Sequence, residues 1–140
     1  MNTLRAILFG FTVLLLAAST QAQQFGAKAD IPFDFVVGDH VYPAGEYILT
    51  RASNVNSILR ISNPQDNSSR FTPTNACSIP HTSQETKLVF HRMGDTLYLY
   101  QLWVAGSDIG REFPKGRAET LLANNHLQED TVIVAAVVTR

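Results

Sequence analysis

The stretch from Lys87 to Ala105 constrains this chain more than any other. It holds two apolar runs, Lys87-Leu88-Val89-Phe90-His91-Arg92 and Thr96 to Ala105 (TLYLYQLWVA), separated by Met93-Gly94-Asp95. Runs so rich in aromatic and branched residues, broken by a glycine turn, specify a β-hairpin. Glycine at the first central position of a two-residue II′ loop takes φ > 0 without strain, so Gly94 sets where the chain reverses. Counting outward, Phe90 is expected opposite Leu99, and His91 opposite Tyr98. Leu88, Phe90, Leu97, Leu99 and Trp103 then share one face, while Val89, His91, Tyr98, Tyr100, Leu102 and Val104 share the other. Both faces are apolar or aromatic, which places the hairpin centrally, one face on the core and the other covered by aromatic bodies with polar tips.

The rest of the chain repeats short apolar runs between turn formers. Ala27, Ala29, Ile31, Phe33, Phe35 and Val37 fall on one face at period 2, and Pro32, which cannot donate to a ladder, is expected to put that strand at a sheet edge or leave it paired on one side there. Gly38-Asp39 ends it, His40 to Tyr42 leaves room for a short strand, and Pro43-Ala44-Gly45 turns the chain. Glu46 to Ala52 and Ser57 to Ser62 read as a hairpin around Ser53-Asn54-Val55-Asn56. Asn63 to Ser69 and Pro80 to Thr86 are polar loops, and Arg70 to Thr74 and Ala76 to Ile79 are weaker strands. Lys115 to Ala123 is the helical candidate, with Ala118, Leu121 and Leu122 at i, i+3 and i+4, and it is too short to hold without packing on the sheet. Thr131 to Val138 (TVIVAAVV) is apolar on both faces and is expected to be a fully buried strand. The expected fold is all-β: a single antiparallel β-sandwich or small, partly open barrel of about seven or eight strands, with one short helix before the last strand. An outer-membrane barrel would want strands of ~10 residues, a length that only Thr96 to Ala105 reaches.

The N-terminus reads differently. Arg5 precedes an apolar run from Ala6 to Ala18, and Thr20-Gln21-Ala22 fits a signal-peptidase site, so cleavage is expected after Ala22. The run holds 13 residues, counted from 6 through 18, short of the roughly 20 that cross a bilayer as a helix. The expected organisation is a signal peptide at 1–22 and a single β-rich domain at 23–140. With Arg5 removed, 10 basic groups face 12 acidic ones, a net of −2 against −1 for the whole chain, so no nucleic-acid partner is expected. The only cysteine, Cys77, permits no intrachain disulfide and is expected to be a small buried hydrophobe.

Little in the sequence carries chemistry. His40, His81, His91 and His126 are scattered, with no HxH, HxxxH or CxxC spacing, so no metal site and no cofactor is expected. No GxSxG elbow or phosphate-binding loop is present. Asp108, Glu112 and Glu119 alternate with Arg111 and Arg117 and read as a surface ion-pair cluster. His91 is the residue singled out. Beside Tyr98 and Tyr100 in the expected register, it is either a half-buried histidine bonded to a tyrosine or part of a ligand-binding site made by His91, Tyr98 and Tyr100.

Ile31 to Tyr47 (IPFDFVVGDHVYPAGEY), Lys87 to Asp95 (KLVFHRMGD) and Gln101 to Glu119 (QLWVAGSDIGREFPKGRAE) together resemble an uncharacterised family of small exported bacterial proteins. The resemblance implies an exported, β-rich protein and brings no catalytic residue with it. The expected function is therefore a non-catalytic binding or structural module of the bacterial cell envelope, periplasmic or secreted, and not an enzyme. Two alternatives stand beside it. One is a carrier of a small apolar ligand, motivated by more aromatic side chains on the hairpin than one sheet face needs. The other is a small hydrolase. The expected partner is an envelope protein or a small apolar ligand.

Overall fold

Over residues 26–52, 55–125 and 129–139, which the computed structural model describes, the chain forms twelve strands and one helix. The expected signal peptide, the Ser53-Asn54 half of one expected turn, and His126 lie outside the described residues. The first sheet has the order β12 (Val137–Val138), β1 (Gly26–Ile31), β4 (Gly45–Ala52), β5 (Val55–Asn63), β6 (Ser68–Pro73). The second runs β11 (Glu129–Ala135), β8 (Lys87–Met93), β9 (Thr96–Trp103), β10 (Ile109–Glu112), β7 (Asn75–Ser78). Off its path, β2 (Phe35–Val37) lies beside β9 and β3 (His40–Tyr42) beside β2. The helix α1 (Arg117–Asn124) precedes the last two strands. The two sheets bury a common core of Ala27, Ile31, Leu49, Leu59 and Ile61 from the first with Phe35, Leu88, Phe90, Leu99 and Leu102 from the second. This is the expected all-β sandwich.

It has more than seven or eight strands because long runs divide where they pass from one sheet to the other. Ala27, Ala29, Ile31, Phe35 and Val37 are all buried, so the period-2 face is continuous. The backbone, however, leaves the first sheet after Ile31 and enters the second at Phe35, and Pro32 lies in that crossing, where no ladder bond is asked of it. Nearly all pairing is antiparallel. The exception among the strands is β2 against β9, parallel through Val36 and Tyr98.

The central hairpin has the expected register. Phe90 pairs with Leu99, His91 with Tyr98 and Met93 with Thr96, and Gly94 has φ 62°. Beyond Phe90 a β-bulge intervenes, because Val89 pairs with Gln101, leaving Tyr100 as the extra residue. A bulge reverses the alternation past it, which corrects two face assignments. Leu102 joins Leu88 in the core, fully buried. Trp103 turns to the other face and lies over Gly110, where a Cβ would come 2.7 Å from the indole.

The C-terminal segment is also corrected. It divides into β11 and β12, one at an edge of each sheet. Only alternate residues, Val132, Val134 and Ala136, pack on the core, while Ile133 is 57% exposed and Val137 62%. An edge strand at the margin of a two-layer sandwich has one covered face, whatever its composition.

Helix α1 packs by a different face than its apolar residues suggest. Leu121 is 64% exposed and Ala118 is exposed, whereas Glu119 is 3% exposed. The joint at its start sets this phase. Gly116 lies so close to Gly38 that a Cβ there would overlap the Gly38 carbonyl. The Arg117 N–H donates to Asp39 Oδ1 at 2.8 Å, so the β2–β3 turn supplies the cap that Gly116 cannot. With the first turn pinned, the third helical residue, Glu119, faces the sheet. No helix of the described residues is long and apolar enough to cross a membrane.

Candidate functional site

His91, Tyr98 and Tyr100 do come together, on the face of the second sheet turned away from the core. Tyr98 reaches His91 by cross-strand pairing, and Tyr100 because the bulge sets it there: the imidazole and phenol ring centroids are 3.8 Å apart. From β11, Glu129 Oε1 lies 2.5 Å from His91 Nδ1, an ion-pair distance without the alignment of a hydrogen bond. Burial pushes the His91 pKa down, and Lys115 adds to this while Glu129 and Glu112 oppose it. Burial thus favours the neutral form of the ring, against the carboxylates beside it. Burial raises both phenols, helped by Glu119 at Tyr98 and by Glu112 at Tyr100. Glu119 itself is raised by burial, with Lys115 and the Gly116 backbone N–H opposing. It is a buried carboxylate against Tyr98, which corrects its place in the expected surface ion-pair cluster.

A carboxylate behind a neutral imidazole is the orienting half of a general-base pair. Here the imidazole is covered. His91 is 8% exposed and Tyr98 3%, and the Tyr100 ring lies on the imidazole. A base works within hydrogen-bond reach of the proton it removes, and the His91 side chain is only 10% exposed. What the arrangement does is fasten β8, β9, β11 and α1 to one another. Cys77, expected to be buried, is half-buried on the edge strand β7, and burial and then Glu112 push its thiol pKa up, so it is a weak nucleophile. Among the described residues no group of three or more His, Cys, Asp or Glu is gathered for a metal.

A second feature lies between β3 and β6, where sequence reasoning named turns and strands but no candidate site residue. A groove of about 230 Å³ opens between β3 and β6, lined by Val41, Tyr42, Pro43, Tyr47, Ile61 and Arg70 together with Asp66, Ser68 and Ser69. Its floor is rigid. Tyr47 is 2% exposed, its hydroxyl donates to the Pro43 carbonyl at 2.8 Å, and Tyr42 stacks on Phe35 at 5.2 Å and meets Tyr47 edge to face. Its rim is polar. Asp66 accepts from the Ser68 N–H at 2.8 Å and is held low by that residue. Arg70 Nη1 approaches His40 Nε2 at 3.4 Å, and the Arg70 charge opposes the upward push of burial on the Tyr42 pKa. Among the described residues Arg70 makes no ion pair with a carboxylate. The groove escaped the sequence because β3 belongs to the second sheet while β4, β5 and β6 belong to the first, so its two sides meet only when the sheets stack. Two tyrosines flanking the Pro43-Ala44-Gly45 turn were its one local signal. Compared with models of known protein families, with curated proteins and with solved structures, the chain finds no match.

Proposed function

We propose that this chain is an exported, non-catalytic binding module of the bacterial cell envelope, processed after Ala22 to a single domain of residues 23–140 and periplasmic or secreted. The N-terminal apolar run with its small-residue site supports export, and the three sequence blocks support membership of a family of small exported β-rich proteins. The groove is the observation that carries the binding role. It joins a fixed aromatic floor to an open rim with donors and acceptors, the composition of a recognition site rather than of a reaction centre. The apolar-carrier alternative has less to stand on. The rings that suggested it are engaged with neighbours, Tyr100 with His91, and Trp103 with Gly110 and with Gln101 at 3.1 Å.

Two measurements test this. A tagged full-length chain is expressed in a Gram-negative host, fractionated, and its N-terminus sequenced. Recovery from the periplasm or medium without detergent, beginning at Gln23, is expected, and a chain released only by detergent overturns the reading. The purified protein is then screened by thermal shift against envelope peptides, muropeptides, lipids and aromatic compounds. A ligand of the folded state raises the midpoint by mass action. Stabilisation by an envelope component is expected to disappear in Tyr42→Ala. No shift with any of them overturns the binding role.

A further inference from the structure

We propose that the edge strand β11 pairs with β11 of a second copy of this chain, antiparallel and about a two-fold axis at Val134. This goes beyond the binding-module reading and does not depend on it. The backbone sets the geometry. The Ala136 N–H donates to the Thr86 carbonyl at 2.9 Å, and β11 keeps one register with β8 from Glu129 to Ala135. In an antiparallel ladder, alternate residues turn both their N–H and C=O to the same neighbour. Val132 and Val134 therefore bond β8 as Ala136 does, while Thr131, Ile133 and Ala135 direct their groups to the open side. The Thr131 N–H is already taken, by Asp130 Oδ1 at 2.8 Å. The complete donor–acceptor sets left open are those of Ile133 and Ala135, placed symmetrically about Val134. A second copy turned about Val134 sets each Ile133 against the other copy's Ala135, and all four groups on each edge strand are satisfied.

The other described edges are poorer templates. β12 has two residues, β3 three and β7 four. β6 has six, and because the Thr74 N–H donates to the Ser57 carbonyl, the same alternation turns Ser69, Phe71 and Pro73 outward. Pro73 has no N–H to give, and pairing about Arg70 would set two guanidinium groups directly opposite each other. β11 runs for seven residues without Pro, Lys or Arg, the residues that most often blunt an edge, and the residue at its centre, Val134, is uncharged. Charge complementarity fixes both the occupant and the direction. Glu129 and Asp130 stand at one end of β11, and Lys87 stands opposite Ala135 at the other. Antiparallel pairing turns each acidic end toward the Lys87 end of the other copy, whereas parallel pairing would set acid beside acid. Ile133, 57% exposed in the single chain, then packs beside the other copy's Ala135.

The test uses the full-length chain, purified with the processing its host performs and held with a reducing agent so that Cys77 stays a thiol. Sedimentation equilibrium is expected to give the monomer mass at ~10 μM and to approach twice that mass at ~1 mM, as a Kd of about 0.1 mM for a small interface requires. Exchange of the Ile133 and Ala135 amides is expected to slow about fourfold over that range, with the Phe71 amide unchanged. In a mixture of isotope-labelled and unlabelled chains, an NMR contact between Ile133 of one and Ala135 of the other is expected. Ile133→Lys and Ala135→Lys each put a charge on the edge through an exposed position. Each is expected to keep the wild-type near-ultraviolet circular dichroism and to stay monomeric at the higher concentration, and if one fails to fold the other decides. Phe71→Lys, on β6, is expected to dimerise like wild type. A monomer at every concentration overturns the inference. So does a dimer that survives the β11 lysines, one lost in Phe71→Lys, or growth past the dimer, which marks head-to-tail stacking. The groove and its ligand screen are read separately, so failure here leaves the binding-module reading standing.

Discussion

Gly116→Ala separates what the backbone alone implies from what the tertiary structure implies, because the two give opposite signs. Gly116 has φ −74° and ψ 176°, a conformation alanine adopts freely, so a local argument expects a gain of about 0.4–1 kcal/mol from reduced freedom of the unfolded chain. The structure expects a loss. An added Cβ would overlap the carbonyl of Gly38 and come within 2.8 Å of Asp39 Oδ1. Backbone cannot swing aside as a side-chain end can, so the helix start must move, at about 1–3 kcal/mol for an overpacked site. That movement also breaks the Asp39 cap on Arg117, at about 1 kcal/mol. The net is a destabilisation of roughly 1–3 kcal/mol. An unfolding entropy of about 2.1 cal/mol/K per residue over the 118 residues that follow Ala22 gives ~0.25 kcal/mol/K, so 2 kcal/mol lowers Tm by about 8 °C. Calorimetry with matching urea titrations reads this directly. In an Asp39→Ala background the same change is expected to cost less than the sum of the two, since both act on one joint. A Tm for Gly116→Ala equal to or above wild type refutes the joint.

Three further predictions concern the covered face of the second sheet. Glu119 has a folded pKa raised above its unfolded value, so its charged form opposes folding and that cost grows as pH rises through the raised pKa; Glu119→Gln is expected to stabilise at pH 7 and to lose this advantage toward pH 4, read as urea midpoints across pH. His91 has a folded pKa below its unfolded value, so its contribution is full above the unfolded pKa near 6.5 and is lost as pH falls below it. Glu129→Gln removes a group that raises His91, and the imidazole carbon shifts in NMR are expected to titrate at still lower pH. Gly110→Ala places a methyl against the chain's single tryptophan; an altered emission wavelength and a loss of about 1–3 kcal/mol are expected, and an unchanged spectrum would show that Trp103 does not lie over that glycine.

The candidate site was partly legible. The pairing of His91 with Tyr98 followed from Gly94, because a two-residue turn with a positive φ admits one register. The contact of Tyr100 with His91 was also anticipated, though for an incomplete reason: simple alternation put them on one face, and the bulge that holds Tyr100 there leaves no mark in a run that is apolar on both faces. Glu129 escaped notice, since β11 pairs with β8 from 36 positions downstream, counted from Glu129 to its partner Met93. Glu119 was read as a surface charge because the helix's own apolar stripe pointed elsewhere, and only the Gly38–Gly116 approach turned it inward.

The sequence by itself determined the all-β class, the buried face from Ala27 to Val37, the Gly94 register, and the short helix ahead of the last strands. Each rests on periodicity or turn geometry, which act over a few neighbouring residues and need no partner to be defined. The tertiary structure alone decided the rest: which runs divide between sheets, that the apolar C-terminus forms two edges, that Glu119 is covered, and that Tyr42, Tyr47, Ile61 and Arg70 enclose a groove. These depend on which strand ends beside which. That choice comes from fitting side-chain volumes across two stacked sheets and from the closest approach of backbone at two glycines, and such quantities belong to pairs of residues far apart in the chain.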